Sequence, residues 1–446
     1  MAESSTRKVG PVKKDRISVL PRDLLETILC FLPIRDAVRT SILSRSWRLC
    51  WTTIPNLVFD GDNILDENLY NFSECHGSEL KTVKFVGVIN KVLLLHNGSI
   101  LSFSLSFPSY GVDEIIHDYI DQWIPLFSRK GIKELTLEGS FRGEVKEHNL
   151  SFLDLTHLRL AYQWLPYASA FRGMTCLRII ELIHIDTSDQ NILDCPVLEK
   201  LTLIFCEGLL PINFRAPNLR CLHQIYRNMT LEYSVAGLEN LTEFSYSLLI
   251  DPKVQTETSN VVKVFGSSYK LEKISIALSF IKYLAAGGSP NRFSKPLPYL
   301  KTLSISNINL SCLSEVSCLF CLIRSAPNLC KLHISAGHFA LKENLRDNWE
   351  EDFEDCTVDH LEIVTLCFYK GHKAEVELVK FLLAHSPLLK TMFIHRDSLI
   401  GYDVACQLLE EMLEFPRASS RAQIRHLKIP LDADDFGPWV SQFDLF

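Results

Sequence analysis

The residues in this chain whose types and spacing could do chemistry are Cys318, Cys321, Cys330 and His333. Two pairs, Cys318 with Cys321 and Cys330 with His333, each leave a gap of two residues, the ligand spacing of a structural zinc site. Strand parity argues against an ion there. On a strand beginning at Leu329, Cys330 shares its side with the apolar Leu332, and His333 points to the other side. The expectation is therefore buried free thiols, with no metal and no other cofactor. The chain contains no Gly-rich phosphate loop, no nucleophile elbow and no His-Glu-x-x-His helix. Catalytic residues are none, so the expected role is non-enzymatic, and the elements of the chain must serve to present surfaces.

Composition narrows the kinds of surface. Of 446 residues, 47% are hydrophobic and 22% charged, the balance of a well-cored protein. Lys+Arg total 46 against Asp+Glu 53, a net charge of -7, so there is no global positive field and nucleic acid is not an expected partner. No run reaches the ~18 consecutive apolar residues of a membrane span, and no membrane is expected as a partner. The opening MAESSTRKVGPVKKDR lacks the apolar core of a secretory signal. The 14 cysteines are scattered and read as reduced thiols, which places the protein in the cytoplasm and/or the nucleus. Residues 1–14 read as a basic flexible tail. Arg7, Lys8, Lys13, Lys14 and Arg16 could also address the nucleus.

The next stretch is bounded by prolines and has helical periodicity. Leu24, Leu25, Ile28, Leu29 and Leu32 recur at helical spacing from Pro21 until Pro33 stops the run. A second helix carries Ala37, Val38, Ser41 and Ile42, and Ser44 can cap a third on which Trp47 and Trp51 face the same way. So small a unit carrying two tryptophans and a thick leucine stripe has a surplus of apolar surface, which calls for a partner.

Leu20-Pro21, Asp23-Leu24-Leu25, Ile28-Leu29, Phe31-Leu32-Pro33, Asp36-Ala37-Val38 and the run Ser41-Ile42-Leu43-Ser44-Arg45 with Trp47-Arg48 and Trp51 resemble an F-box. The form RTSILSRSWR is similar to the plant branch that joins an F-box to leucine-rich repeats and a C-terminal FBD region. The resemblance implies docking, over residues 15–60, on the Skp-type adaptor of an SCF ubiquitin ligase and, through it, on cullin and RING subunits. It places the adaptor contacts at Leu20, Pro21, Leu24, Ile28, Leu32, Val38, Leu43, Trp47 and Trp51. The plainer alternative is that these residues form the internal core of three helices, and many would do both.

From about residue 80 an apolar-x-x-apolar-x-apolar pattern keeps returning, the strand signature of leucine-rich repeats. It starts at Leu80 with Val83 and Phe85, and recurs at Ile100, Ile132, Leu155, Leu177, Leu198, Leu219, Leu241, Leu271, Leu300, Leu329, Leu361 and Leu389. Proline lead-ins at Pro196, Pro217, Pro327 and Pro387 end the segment before a strand. No single copy can bury its own apolar face, so the copies must stack. The expected fold class is α/β. A three-helix F-box precedes an irregular leucine-rich-repeat solenoid over residues 61–355, with parallel strands on the concave face and helices and loops outside. A loop is expected at 285–290, and an acidic one at Glu350, Glu351, Asp352, Glu354 and Asp355.

Alternation along the strands names the residues that point away from the core. The substrate-face candidates are His157, Arg159, Glu181, Lys200, His223, Glu243, Lys273, Lys331 and His333, with Lys84, Glu134 and Phe393 extending the surface. Thr202, Ser275, Thr302 and Ser304 fill its gaps. Mixed signs and hydroxyls suit a protein or peptide ligand better than a polyanion; the alternative for any one residue is a solvated sheet face.

The last region, 356–446, reads as a strand, a turn at Lys370-Gly371, a helix with Val376, Val379, Leu382 and Leu383 on one face, Pro387 and a second strand. This resembles the FBD region, carried by Leu361, Phe368, Gly371, Glu377, Leu378, Leu382, Leu389 and Met392, and an FBD-like cap is the role expected of it. The resemblance as a whole implies a substrate-recognition subunit whose repeats bind a target protein for ubiquitination. A scaffold without a degradable target, or a small-molecule receptor in the same ligase family, are the alternatives.

Overall fold

Wherever the apolar-x-x-apolar-x-apolar pattern follows a turn, its last two apolar positions fall inside a short parallel strand. The computed structural model describes residues 20–64, 76–107, 115–139, 154–162, 174–185, 193–206, 214–227, 239–250, 258–266, 268–337, 353, 356–369, 371–396 and 410–427. The basic tail and the acidic residues at 350–352, 354 and 355 lie outside them. The chain divides into two compact units, Met1–Leu177 and Arg178–Phe446.

In the first unit, α1 (Arg22–Leu29) and α2 (Ile34–Arg39) are each preceded by a proline at the N-cap. The third helical segment differs from expectation: it is a pair of 3-10 turns, Thr40–Ile42 and Cys50–Thr53, rather than one α-helix capped by Ser44. The hydroxyl of Ser44 pairs with that of Ser46 instead, at 2.7 Å. Strand β1 (Asn56–Asp60), the short α3 (Gly61–Ile64), α4 (His76–Leu95), β2 (Ser102–Ser106), α5 (Ile115–Lys130), β3 (Glu134–Glu138) and β4 (His157–Ala161) follow. β1 to β4 pair in chain order, all parallel.

Two expectations fail here. The repeat expected at Leu80 is α4, so Lys84 lies on a helix and not on the sheet face. Phe85, Ile89 and Val92 with Val86 and Leu93 are buried at helical spacing, which outweighs a single strand-like match and the glycine, Gly87, at the middle of the run. The first strand is instead β1, where Ile54, Leu57 and Phe59 carry the same pattern. Phe103 anchors the core beneath, 5.5 Å from Phe59, 4.3 Å from Phe127 and 6.3 Å from Trp123 between ring centroids. Trp123 donates its indole N–H to Asn90 at 2.7 Å, tying α5 to α4.

The second unit carries β5 (Ile179–Ile183), β7 (Lys200–Ile204), β9 (Cys221–Tyr226) and β10 (Glu243–Leu248), then α6 (Asn260–Phe265) and β11 (Lys273–Leu278). Between them β6 (Leu193–Asp194) and β8 (Phe214–Arg215) form a separate small ladder. α7 (Phe280–Ala285), β12 (Thr302–Ile308), α8 (Leu313–Ser325), β13 (Lys331–Ala336), β14 (Ile363–Tyr369), α9 (Lys373–His385), β15 (Thr391–Arg396) and β16 (Gln423–Leu427) complete it. The large sheet is parallel from β5 to β16 in chain order. Helices join its later strands, as parallel crossovers require.

Two local devices set the stacking. Each proline lead-in is the second residue of a tight turn, closed by Leu198 to Cys195, Leu219 to Ala216, Leu329 to Ala326 and Leu389 to Ser386. The asparagine one residue before the first leucine of several repeats reaches back one repeat, after a proline at 218 and 328 and after Glu239 at 240. Asn218 donates to the Pro196 carbonyl at 2.9 Å, Asn240 to Pro217 at 2.7 Å and Asn328 to Pro298 at 2.8 Å. Just before the strands one carbonyl accepts two successive N–H groups of the next repeat, as Arg220 does from Thr242 and Glu243. Past the strand ends Tyr162, His184 and Phe205 adopt positive φ of 61°, 50° and 52°.

The loop expected at 285–290 begins where α7 ends, with Gly287 and Gly288 at φ of 77° and 79°. At the far end, β14, α9 and β15 follow the expected order, and Gly371 makes the turn at φ 77°. Leu378, Val379, Phe381, Leu382 and Leu383 are the buried face of α9, whereas Val376 is half-buried.

Candidate functional site

Two surfaces stand out, and each follows from how its own elements bury their apolar residues. On α1 two stripes lie about 100° apart. Leu25 and Leu29 enter the core, whereas Leu24, Ile28 and, past the helix end, Phe31 and Leu32 face outward. On the turns that follow α2, Ile42 and Leu43 are outward too, and so is Leu49. Phe31 is 84% exposed, Ile42 88% and Leu43 67%. For branched and aromatic side chains gathered within one small helical unit, this is a large unpartnered apolar area.

The nine residues named for adaptor contact separate accordingly. Pro21, Leu24, Ile28, Leu32 and Leu43 are exposed, and Leu20 and Val38 are half-buried. Trp47 and Trp51 are each 5% exposed and belong to the core of the unit. The reason is the missing third α-helix: Trp51 lies on the 3-10 turn Cys50–Thr53, which packs with α1, and Trp47 lies in the turn segment just before it. Thr53 donates to Glu26 at 2.7 Å and Arg22 to the same oxygen at 2.9 Å, closing that contact. The Thr53 hydroxyl holds the Glu26 carboxyl below its usual pKa. Phe31, Ile42 and Leu49 are not among the contacts named from the sequence, because helical periodicity assigns a residue to a stripe and not to inside or outside.

The second kind of surface, in each unit taken by itself, is the sheet side away from the core. Glu134, His157, Arg159, Glu181, Lys200, Glu243, Lys273, Lys331 and Phe393 lie there, exposed or half-buried. Neighbouring strands pair charges: Arg159 with Glu138 at 2.6 Å, Lys200 with Glu181 at 3.2 Å and Lys273 with Glu243 at 2.9 Å. His223 Nε2 stands 3.4 Å from Glu243 as well. The His223 ring foremost, and then the Lys273 ammonium, lower the Glu243 carboxyl to about 2. His223 and His333 depart from expectation, and so do Thr202, Ser275 and Ser304: they occupy this side of the sheet yet are buried. Alternation reports the side of a strand and not what covers it.

The zinc-like spacing comes apart in space. Cys318 and Cys321 are buried on α8, Cys330 precedes β13 and donates to the Asn328 carbonyl at 3.3 Å, and His333 lies on β13. Among the described residues no three His, Cys, Asp or Glu side chains come together as metal ligands. Burial pushes the Cys318 thiol well up and that of Cys321 up to about 12, so both stay protonated. Among the described residues no helix is long and apolar enough to cross a membrane.

Comparison with known proteins bears on both surfaces. Residues 17–59 match the F-box domain, residues 120–334 the leucine-rich repeats of an FBD-associated F-box protein, and residues 355–394 the FBD region. Over 433 residues the sequence is 35% identical to the F-box/FBD/LRR-repeat protein At1g13570 of Arabidopsis thaliana, covering 93% of this chain and 99% of that protein. The chain belongs to the F-box/FBD/LRR-repeat family. At 23% identity it is also similar to the F-box/FBD/LRR-repeat protein At5g56420 of the same plant, over 92% of this chain and 98% of the relative. The F-box of this F-box/FBD/LRR-repeat chain indicates binding to an Skp-type adaptor, and its outward stripe lies within the matched 17–59.

Proposed function

We propose that the chain is a substrate-recognition subunit of an SCF-type ubiquitin ligase. The outward stripe Leu24, Ile28, Phe31, Leu32, Ile42 and Leu43 docks on the Skp-type adaptor, which joins it to cullin and RING subunits, and the repeat sheet holds a target protein. The observation that carries this reading is that the stripe is exposed while the same unit has a separate buried core, Leu25, Leu29, Ile34, Ala37, Trp47 and Trp51. A surface that folding does not need is available to a partner.

The mechanism is tethering. Holding the target and a charged conjugating enzyme in one assembly raises the effective concentration of target lysines near the thioester, so no acid, base or nucleophile is required of this chain. The sheet face suits a protein ligand because its charges alternate in sign and are held in place by lateral pairs such as Lys200 with Glu181. His157, Arg159, Glu181, Lys200, Glu243, Lys273 and Lys331 are the accessible candidates for contact.

Co-purification of the full chain with an Skp-type adaptor tests the reading, wild type against Leu24→Ala/Ile28→Ala/Leu43→Ala. A complex lost while circular dichroism stays unchanged supports docking through the stripe. A folded wild-type chain that never binds the adaptor removes the ligase role and leaves a leucine-rich scaffold. Ubiquitin conjugates on proteins captured with the chain separate a degradative adaptor from a scaffold that only binds.

A further inference from the structure

Helix α4 is apolar on both of its sides. Its buried residues, Phe85, Ile89 and Val92 among them, take one side. At about 100° per residue, Val83, Val88, Leu94 and Leu95 share the other with Lys84, Gly87 and Lys91, within an arc of about 140°. The four apolar members of that arc are all exposed, Leu94 by 84% and Leu95 by 54%. A helix with apolar residues on opposite sides is ordinarily a covered one. The arc lies outside both residues 17–59, matched to the F-box, and residues 120–334, matched to the repeats.

Three features define what would cover it. The outward face repeats every seven residues, Lys84 with Lys91, Gly87 with Leu94 and Val88 with Leu95, which is the period of a seam between two helices. From Val83 to Leu95 the seam runs about 18 Å, the length of three helical turns. Its charge is of one sign: residues 83–95 hold two lysines and no carboxylate, and both lysines are exposed. Cations within an apolar seam are matched by carboxylates on the facing helix. The third feature is Gly87. Glycine inside a helix destabilises it relative to alanine, yet a Cβ at Gly87 would meet nothing within 4 Å. The packing of α4 gives no reason for a glycine there; the close approach of a second backbone does.

We propose that the outward face of α4 is a docking site for an acidic amphipathic helix of another protein. That helix lays its apolar stripe along Val83, Val88, Leu94 and Leu95, sets carboxylates opposite Lys84 and Lys91, and passes close over Gly87. A second copy of this chain is disfavoured, because two α4 seams would bring lysine against lysine. An anionic membrane is disfavoured because the lysines stand in the middle of the apolar arc, whereas a helix lying on a membrane keeps them on its polar side. The site is independent of adaptor docking, and either can fail without the other.

The test uses the full-length chain and a labelled synthetic helix of about three heptads, with Leu along its seam and one Glu per heptad within it, beside a control carrying Lys in place of Glu. Fluorescence anisotropy reads the binding. The Glu peptide is expected to bind, the Lys control about tenfold or more weakly, and Lys84→Glu/Lys91→Glu to reverse that order with circular dichroism unchanged. Gly87→Gln is expected to weaken the Glu peptide about tenfold or more. Four results overturn the proposal: the Glu peptide fails to bind; both peptides bind alike; the charge-swapped variant keeps the wild-type order; or Gly87→Gln binds as wild type does. Dimerisation that Leu94→Lys abolishes, or co-sedimentation with phosphatidylserine vesicles, makes a second copy or a membrane the occupant and overturns it too. The charge-swapped variant is expected to co-purify with the adaptor as wild type does; loss of that complex assigns α4 to the adaptor interface instead and overturns the proposal.

Discussion

Removing Leu43 or Phe31 separates docking from folding. Complete burial of a Leu or Phe side chain is worth about 1.5–3 kcal/mol. Leu43 keeps 67% of its surface exposed and Phe31 84%, so docking has about 1–2 and 1.3–2.5 kcal/mol respectively left to gain. Leu43→Ala and Phe31→Ala should each weaken adaptor binding about 5- to 70-fold and change the chain's stability by less than about 0.5 kcal/mol. Leu29→Ala should do the reverse, costing about 2–5 kcal/mol of stability at a fully buried position, with binding following the loss of fold. The assay is titration calorimetry against purified adaptor, paired with urea unfolding of the same preparations. Affinities within twofold of wild type for both Leu43→Ala and Phe31→Ala would refute the reasoning, because an interface cannot rest on residues it does not notice.

The remaining predictions concern the fold and its titrating and reactive groups. Asn240→Ala deletes the 2.7 Å bond to the Pro217 carbonyl, and the urea midpoint should fall by the equivalent of about 0.5–1.5 kcal/mol. The Glu243 carboxyl is lowered to about 2 in the folded chain, so its contribution is complete above the ordinary carboxylate range and is lost as pH falls from about 4.5 towards 2; Glu243→Gln should flatten that part of the stability profile measured by thermal unfolding. A Cβ on Gly98 would stand 3.1 Å from both the Cα and the carbonyl oxygen of Thr53, so Gly98→Val should lower the thermal midpoint of the first unit, at a cost of about 1–3 kcal/mol. Under native alkylation followed by mass spectrometry, the exposed Cys176 should react well before Cys318 and Cys321, whose thiols burial keeps protonated.

Much of the plan was legible because two of its signals are local. The pattern starting at Ile100, Ile132, Leu155 and the later leucines states which residues alternate into a core, and tight turns at Pro196, Pro217, Pro327 and Pro387 say where each strand begins. Such information lies within six or so residues, and burial of the apolar pair then leaves stacking as the only stable outcome. The helices of the F-box and of the FBD region follow the same logic, at helical period. Where two local signals compete, as in the segment 76–95, the longer apolar period won and a helix formed in place of a strand.

What lay outside the reach of the sequence is set by neighbours distant along the chain. Whether Trp47 and Trp51 face a partner or a core depends on how the segment before and through the 3-10 turn Cys50–Thr53 folds, and periodicity is silent on that choice. Whether Ser245, Ser275 and His333 meet solvent depends on what lies over the sheet, and alternation reports only the side of the strand. The chemistry available at a residue was written in its type and spacing; its access to a partner was decided by burial, a property of the folded chain as a whole.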